Sequence, residues 1–258
     1  MPVIQSGNCA INVVIDGPEN APVLILSNSL GTDHGMWDPQ MPEFSKRFRV
    51  VRYDRRGHGK SGVPAPPYTM EQLGRDVLAI MDALNIKKAN WCGLSMGGMV
   101  GQWLGANAPD RFERIVLCNT SSFYPDKDTW TQRIAAVKKE GIAAIAKTVP
   151  GRWFTEGFIA REPAKVSRLQ KMVEETELDG YLGCCEAIKA MDHRELLHRI
   201  KAPTLIIAGK HDVATPVISG EFIRDNIPGS KMVILDAAHI SNVERADKFT
   251  AEVLAFLA

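Results

Sequence analysis

The chain has 258 residues, 45% of them hydrophobic, which is enough to bury a full core in one or two domains. Its 31 basic and 30 acidic residues nearly cancel and are spread along the sequence. That excludes a basic stripe for nucleic acid or a polybasic amphipathic helix for a membrane surface, and no apolar run approaches the roughly 20 residues of a membrane span.

In chain order, the N-terminal MPVIQSGNCAINVVIDG lacks the charged and then apolar build of a signal peptide, so none is expected. CAINVVI (9–15) and PVLILS (22–27) read as two strands joined into a hairpin by the turn-rich DGPENA. RVVRYD (49–54) is a third strand. A helix follows from Glu71 to Leu84, because Leu73, Val77, Ile80, Met81 and Leu84 recur on one face. ANWCGL (89–94) and RIVLCN (114–119) are strands, with a helix-like run from Met96 to Ala106 between them. After Pro203 come TLIIAG, a helix from about Pro216 to Asn226, KMVILD and a last helix from about Glu244. Near-continuous apolar strands alternating with helices predict an α/β fold, a mostly parallel sheet covered on both faces.

The stretch from Ser121 to Arg199 breaks that rhythm. It holds no strand-like run and reads as short helices, including Asp126–Glu140 and Pro163–Thr176. A helical insertion in a doubly wound sheet is expected to form a lid over one end of it. The expected division is a core of residues 1–120 and 200–258 with a lid domain at 121–199, inserted before the last two strands.

Two motifs fail on inspection. Gly57-His58-Gly59-Lys60-Ser61-Gly62 matches the dinucleotide pattern, whose pyrophosphate rests on a helix N-terminus. VPAPPY follows instead, and Pro64, Pro66 and Pro67 block a helix start, so a tight glycine-rich loop beside a pocket is the better reading. The histidines (His34, His58, His193, His198, His211, His239) offer no H-x-x-x-H pair, and the cysteines offer no C-x-x-C spacing, so no metal is expected. The five cysteines, Cys184-Cys185 included, lie in apolar stretches and suit reduced core thiols of a cytoplasmic protein.

Gly93-Leu94-Ser95-Met96-Gly97 passes the test of context, since it joins a strand to a helix with almost no loop. This is the nucleophile elbow, in which the serine takes strained geometry and the flanking glycines avoid collisions. A serine hydroxyl needs a base, and in sheets with such an elbow the acid and histidine follow in that order after later strands. Asp212 in AGKHDVATP lies past TLIIAG, and His239 in LDAAHISNVE lies past KMVILD. Both loops fall at carboxyl ends of strands, where sites in such sheets form. Asp236 is a rival acid and His211 a rival base. The oxyanion hole is expected from the Met96 backbone N–H and a second amide near Leu30, in SNSLGTDHGMW. His34 in that loop reads as structural or pocket-lining.

With these residues in place the chain resembles the α/β-hydrolase superfamily over its whole length, and within it the 3-oxoadipate enol-lactonases of bacterial aromatic catabolism. SNSLGTDHGMWDPQ, YDRRGHGKS, GLSMGGMVGQWLG, IVLCNTS, LIIAGKHDVATP and AAHISNVE carry the resemblance. The oxyanion loop departs from many relatives in reading NSLG rather than an HG form. Serine at position 95 argues against dehalogenases and epoxide hydrolases, whose elbow carries aspartate. The resemblance implies an eight-stranded α/β-hydrolase sheet and hydrolysis of a small anionic lactone, 3-oxoadipate enol-lactone, without a cofactor. Alternatives are another serine esterase, a thioesterase or carbon–carbon bond hydrolase, or a ligand receptor with an almost inactive triad.

Such a lactone brings a carboxylate into an apolar pocket, where an unpaired charge is costly, so the pocket should supply a cation. In DTWTQRIAAV, Trp130 and Arg133 share one helical face. Trp153 in GRWF is a second aromatic candidate, with Arg152 a weaker cationic one. The alternative is a solvated Arg133 and a packing Trp130. Oligomeric state is not legible.

Overall fold

The computed structural model describes residues 2–258. Eight strands form one sheet: β1 (Val3–Ser6), β2 (Cys9–Asp16), β3 (Val23–Ser27), β4 (Arg49–Tyr53), β5 (Ala89–Leu94), β6 (Phe112–Cys118), β7 (Thr204–Gly209) and β8 (Lys231–Leu235). Their spatial order is β1-β2-β4-β3-β5-β6-β7-β8. β1 pairs with β2 and β2 with β4 antiparallel, and every other pairing is parallel.

The expected strand pairing is corrected. CAINVVI and PVLILS are not a hairpin, because β4 lies between β2 and β3. The hairpin is β1–β2, turning at Gly7 with φ +55°. The chain from Gly17 to Pro22 has only to cross two strand spacings, about 10 Å, which a segment of that length reaches easily. β3 then takes the sheet centre, where Leu24, Ile25 and Leu26 are wholly buried.

On the faces lie α1 (Met41–Phe44), α2 (Met70–Ala83) and α3 (Met96–Asn107). Thr69 caps α2 by accepting from the Gln72 N–H, and Leu73, Val77 and Ile80 form its buried stripe. α3 is buried on nearly all sides, and its glycines let it sit close to the sheet. A Cβ on Gly101 or Gly98 would collide with Trp91 or Thr120.

Between β6 and β7 the chain is helical: α4 (Asp128–Glu140), α5 (Ile142–Ala146), α6 (Val149–Trp153), α7 (Glu156–Arg161), α8 (Pro163–Glu174) and α9 (Leu178–Ala190). An isolated bridge, Phe123 to Asp192, closes the base of this segment. Asp126 lies before α4 rather than in it, its carboxylate accepting from the Asp128 N–H and the Thr129 hydroxyl. Then follow α10 (Val217–Asn226), α11 (Ser241–Glu244) and α12 (Ala246–Leu257). Among the described residues no helix is long and apolar enough to cross a membrane.

Candidate active site

Ser95 stands alone between β5 and α3, with φ +56° and ψ −115°. Such a conformation costs a non-glycine residue of order 1–3 kcal/mol and persists only where its surroundings impose it. They do so here. The Ser95 N–H donates to the Cys118 carbonyl at 2.8 Å, and the Thr120 hydroxyl donates to the Ser95 carbonyl at 2.8 Å. A Cβ on Gly93 would overlap the Gly97 backbone, and one on Gly97 would overlap the Ser27 carbonyl. The turn can be this tight only because both are glycine.

Asp212 and His239 are brought together from the ends of β7 and β8. His239 Nδ1 lies 2.8 Å from Asp212 Oδ2, and both side chains are almost wholly buried. Asp212 Oδ1 accepts from the Ala214 and Thr215 N–H groups, while Oδ2 also accepts from the Thr215 hydroxyl and the Asn119 amide. Burial alone would raise the Asp212 pKa. The His239 charge and these hydrogen bonds outweigh it and hold the carboxyl down at about 2. With Nδ1–H donated to Asp212, Nε2 is the nitrogen free to act as a base. Ser95 and His239 line one cavity, without a hydrogen bond between them. Catalytic hydrogen bonds are often long before substrate binds.

The rivals pair with each other instead. Asp236 meets His211 Nε2 at 2.9 Å on the surface, where both are substantially exposed. Neither lines the cavity.

Leu30 lines the cavity and Met96 directly follows Ser95, and neither N–H has a backbone or side-chain acceptor among the described residues. The loop around Leu30 is braced from behind. Arg55 donates from Nη1 to the Ser29 carbonyl at 3.0 Å and from Nη2 to the Asn28 carbonyl. The Gly31 N–H donates to His58 Nε2 at 2.9 Å. Burial, with the Arg55 charge beside it, pushes the His58 pKa down to about 3, so its ring stays neutral and can accept. The glycine-rich GHGKSG loop thus braces the loop that carries Leu30.

The cavity, about 210 Å³, has Ser95, His239 and Leu30 at one end and Trp130, Arg133 and Trp153 along its helical wall. Arg152 also reaches it. Arg133 donates from Nε and Nη2 to the Tyr181 hydroxyl, the Nε bond at 2.9 Å. Its guanidinium carbon lies 5.4 Å from the Trp130 ring centre. Among the described residues no carboxylate oxygen comes within 4 Å of its nitrogens. His34 is outside this cavity, held to Asp54 by Nδ1 at 2.8 Å. Asp33, His34 and Asp54 do cluster. The Asp54 oxygens are already occupied by Asn12, His34 and the Lys60 N–H, so the group reads as a loop brace.

Sequence reasoning missed Asn119, Thr215, Arg55, His58 and Tyr181 as supports. Asn119 has φ +43°, donates to Asp212 and the Ala238 carbonyl, and accepts from the Ser241 hydroxyl. Its signal was a polar residue at the carboxyl end of a buried strand. Thr215 could have been read from its place three residues after Asp212.

The fold and sequence have known counterparts. A family model described as alpha/beta hydrolase fold matches residues 22–246. The chain is 42% identical over 254 residues to 3-oxoadipate enol-lactonase 2 of Acinetobacter baylyi, covering 98% of this chain and 95% of that protein. The crystal structure of an enol-lactonase from Burkholderia xenovorans superposes with a TM-score of 0.97 at 46% identity, covering 99% of each chain. A hydrolase from Pseudomonas aeruginosa superposes at 0.96 with 43% identity, over 99% of this chain and 97% of that one. The chain belongs to the alpha/beta hydrolase family.

Proposed function

We propose that the protein is a serine hydrolase that opens 3-oxoadipate enol-lactone to 3-oxoadipate, in the beta-ketoadipate branch of bacterial aromatic catabolism. The observation that carries this reading is one small cavity lined by Ser95, His239 and an arginine that, among the described residues, has no carboxylate within 4 Å. A neutral ester gives such an arginine no counter-ion. A lactone with a carboxylate arm supplies its counter-ion. The substrate of the Acinetobacter relative points the same way.

In this mechanism His239 Nε2 takes the Ser95 proton as Oγ attacks the lactone carbonyl, and Asp212 holds the imidazole in its tautomer. The tetrahedral oxyanion is held by the Leu30 and Met96 amides. Collapse breaks the ring C–O bond and expels an enolate, which takes the proton from His239 Nε2 and settles as the ketone, leaving the imidazole neutral again. Water, deprotonated by His239, then attacks the acyl-serine and releases the second carboxylate. Trp130 and Trp153 wall the apolar part of the site, and Arg133 pairs the carboxylate arm. Residues 121–199 act as a lid domain on a core of 1–120 and 200–258. The five thiols, all free and buried, fit a reducing cytoplasm.

Steady-state turnover of the enol-lactone, compared with neutral lactones, aryl esters, thioesters and ring-cleavage diketones, tests the reading. The anionic enol-lactone should give the highest kcat/KM of the panel. A higher value on a thioester or a diketone would replace it with that chemistry, and no sustained turnover on any would leave a ligand receptor.

A further inference from the structure

The first turn of α9 touches, through one residue, both Arg133 on the cavity wall and the loop beside Leu30. The Tyr181 hydroxyl accepts from Arg133 Nε and Nη2, and its ring is 1% exposed. The other edge of the same ring packs on the oxyanion loop: Tyr181 Cε2 is 3.4 Å from where a Cβ on Gly31 would stand. Gly31 directly follows Leu30 and is itself tied to His58. One residue earlier in α9, Gly180 meets Gly57 backbone to backbone, so tightly that a Cβ on either would overlap the other. Gly57 precedes His58. The helix is therefore seated against both parts of the oxyanion brace, and it cannot slide without disturbing them.

The donor inventory gives this contact a consequence. A guanidinium has five N–H groups in a rigid planar fork. The Tyr181 hydroxyl occupies the Nε–H and one Nη2–H. The two Nη1–H groups and the second Nη2–H remain, and one Nη1–H with that Nη2–H forms the end-on edge that grips a carboxylate at two points. Without the hydroxyl the fork could rotate about its stem, and an arginine carries considerable rotamer entropy to lose on binding.

We propose that Tyr181 is a positioning residue that aims the end of the Arg133 fork into the cavity and keeps it in fixed register with the Leu30 amide. Resting on the carboxylate reading of Arg133 given above, this makes recognition of the anionic arm count in kcat as well as in KM. A cation that held the arm equally in the ground and transition states would alter KM alone. One that sets the distance from the arm to the oxyanion donors also fixes how well the lactone carbonyl meets them.

The test is a double-mutant cycle with Arg133→Ala, Tyr181→Phe and the double variant, each assayed on the anionic enol-lactone and on its neutral methyl ester. Phenylalanine keeps the ring on Gly31 and removes only the hydroxyl, so turnover of the methyl ester reports folding and an intact oxyanion loop. Tyr181→Phe should lower kcat/KM on the anionic lactone by roughly 10- to 100-fold, the range for a hydrogen bond to a charged group, with part of the loss in kcat. It should spare the methyl ester, and the double variant should be no worse than Arg133→Ala. Equal losses on both substrates would make Tyr181 structural and overturn the proposal, as would losses from the two single changes that multiply. If Arg133→Ala is charge-selective and Tyr181→Phe is silent, the proposal alone fails. If Arg133→Ala itself spares the anionic lactone, the carboxylate reading fails and takes the proposal with it.

Discussion

The two ends of the cavity are held in place by different means. At the sheet end every proposed catalytic group is fixed several times over. Ser95 is locked by hydrogen bonds to its backbone and by a turn that only glycine fits at positions 93 and 97, and Asp212 receives five hydrogen bonds, from His239, Asn119, Thr215 Oγ1 and two backbone amides. At the helical end Arg133 rests on one hydroxyl and two aromatic faces. Strand ends give fixed, repeatable positions, which the chemistry needs. Helices packed by side chains give positions that a few substitutions can move, which suits the reading of a substrate. The difference predicts that damage at the sheet end is general, whereas damage at the helical end depends on the substrate's charge.

The largest effect should come from Ser95→Ala. Removing a triad nucleophile costs on the order of a millionfold in kcat. The loss should be equal on anionic and neutral substrates and leave the unfolding transition in place, as read by steady-state kinetics and thermal denaturation. Retention of a tenth of the original kcat would break the serine mechanism.

Asp212→Asn comes next. The amide N–H can donate to His239 Nδ1 and so leave the ring proton on Nε2, the wrong tautomer, and the precedent for that change is about 10,000-fold in kcat. Asp236→Asn is the matched control, since Asp236 bonds only His211 at the surface. If the control were the damaging change, the acid would be misassigned.

How far the two ends were legible in the sequence follows the same division. The elbow is a local event, so Gly93, Ser95 and Gly97 announce it within five residues. Asp212 and His239 could be placed because each follows an apolar strand run. The order of β2, β3 and β4 could not, because an irregular turn does not state how many strands it crosses and β1 has only four residues. The supports were hidden because they act across the chain. His58 reaches Gly31 over 27 positions and Tyr181 reaches Arg133 over 48, and neither pairing leaves a trace in local pattern. Trp130 and Arg133 were visible only as neighbours on one helix face.

Arg133→Ala sharpens the comparison from the other end. It should lower kcat/KM on the anionic lactone by roughly 2–5 kcal/mol, the range for truncating one partner of a buried charge pair. A neutral ester has no charge to lose and should be turned over as before. Equal losses on both substrates would mean that the helical end supports the chemistry and is not merely reading the substrate.

The smallest expected effect concerns stability rather than rate, and it belongs to the sheet end alone. The Asp212 carboxyl is depressed from 3.8 to about 2 in the folded protein, burial being outweighed by His239 and the hydrogen bonds. A carboxyl depressed on folding stabilises the native state above its unfolded pKa. That contribution is lost as pH falls through the folded value. A shift of this size corresponds to about 2 kcal/mol, at 1.36 kcal/mol per pKa unit. Asp212→Asn has no proton to take up there, so the stability gap between it and the parent protein should shrink by about that amount between pH 5 and pH 2. Denaturant unfolding at successive pH values measures it, and Arg133→Ala, which changes no group that titrates in this window, should show a gap independent of pH. A gap for Asp212→Asn that stayed constant down to pH 2 would mean that the network around Asp212 holds a carboxylic acid as firmly as a carboxylate.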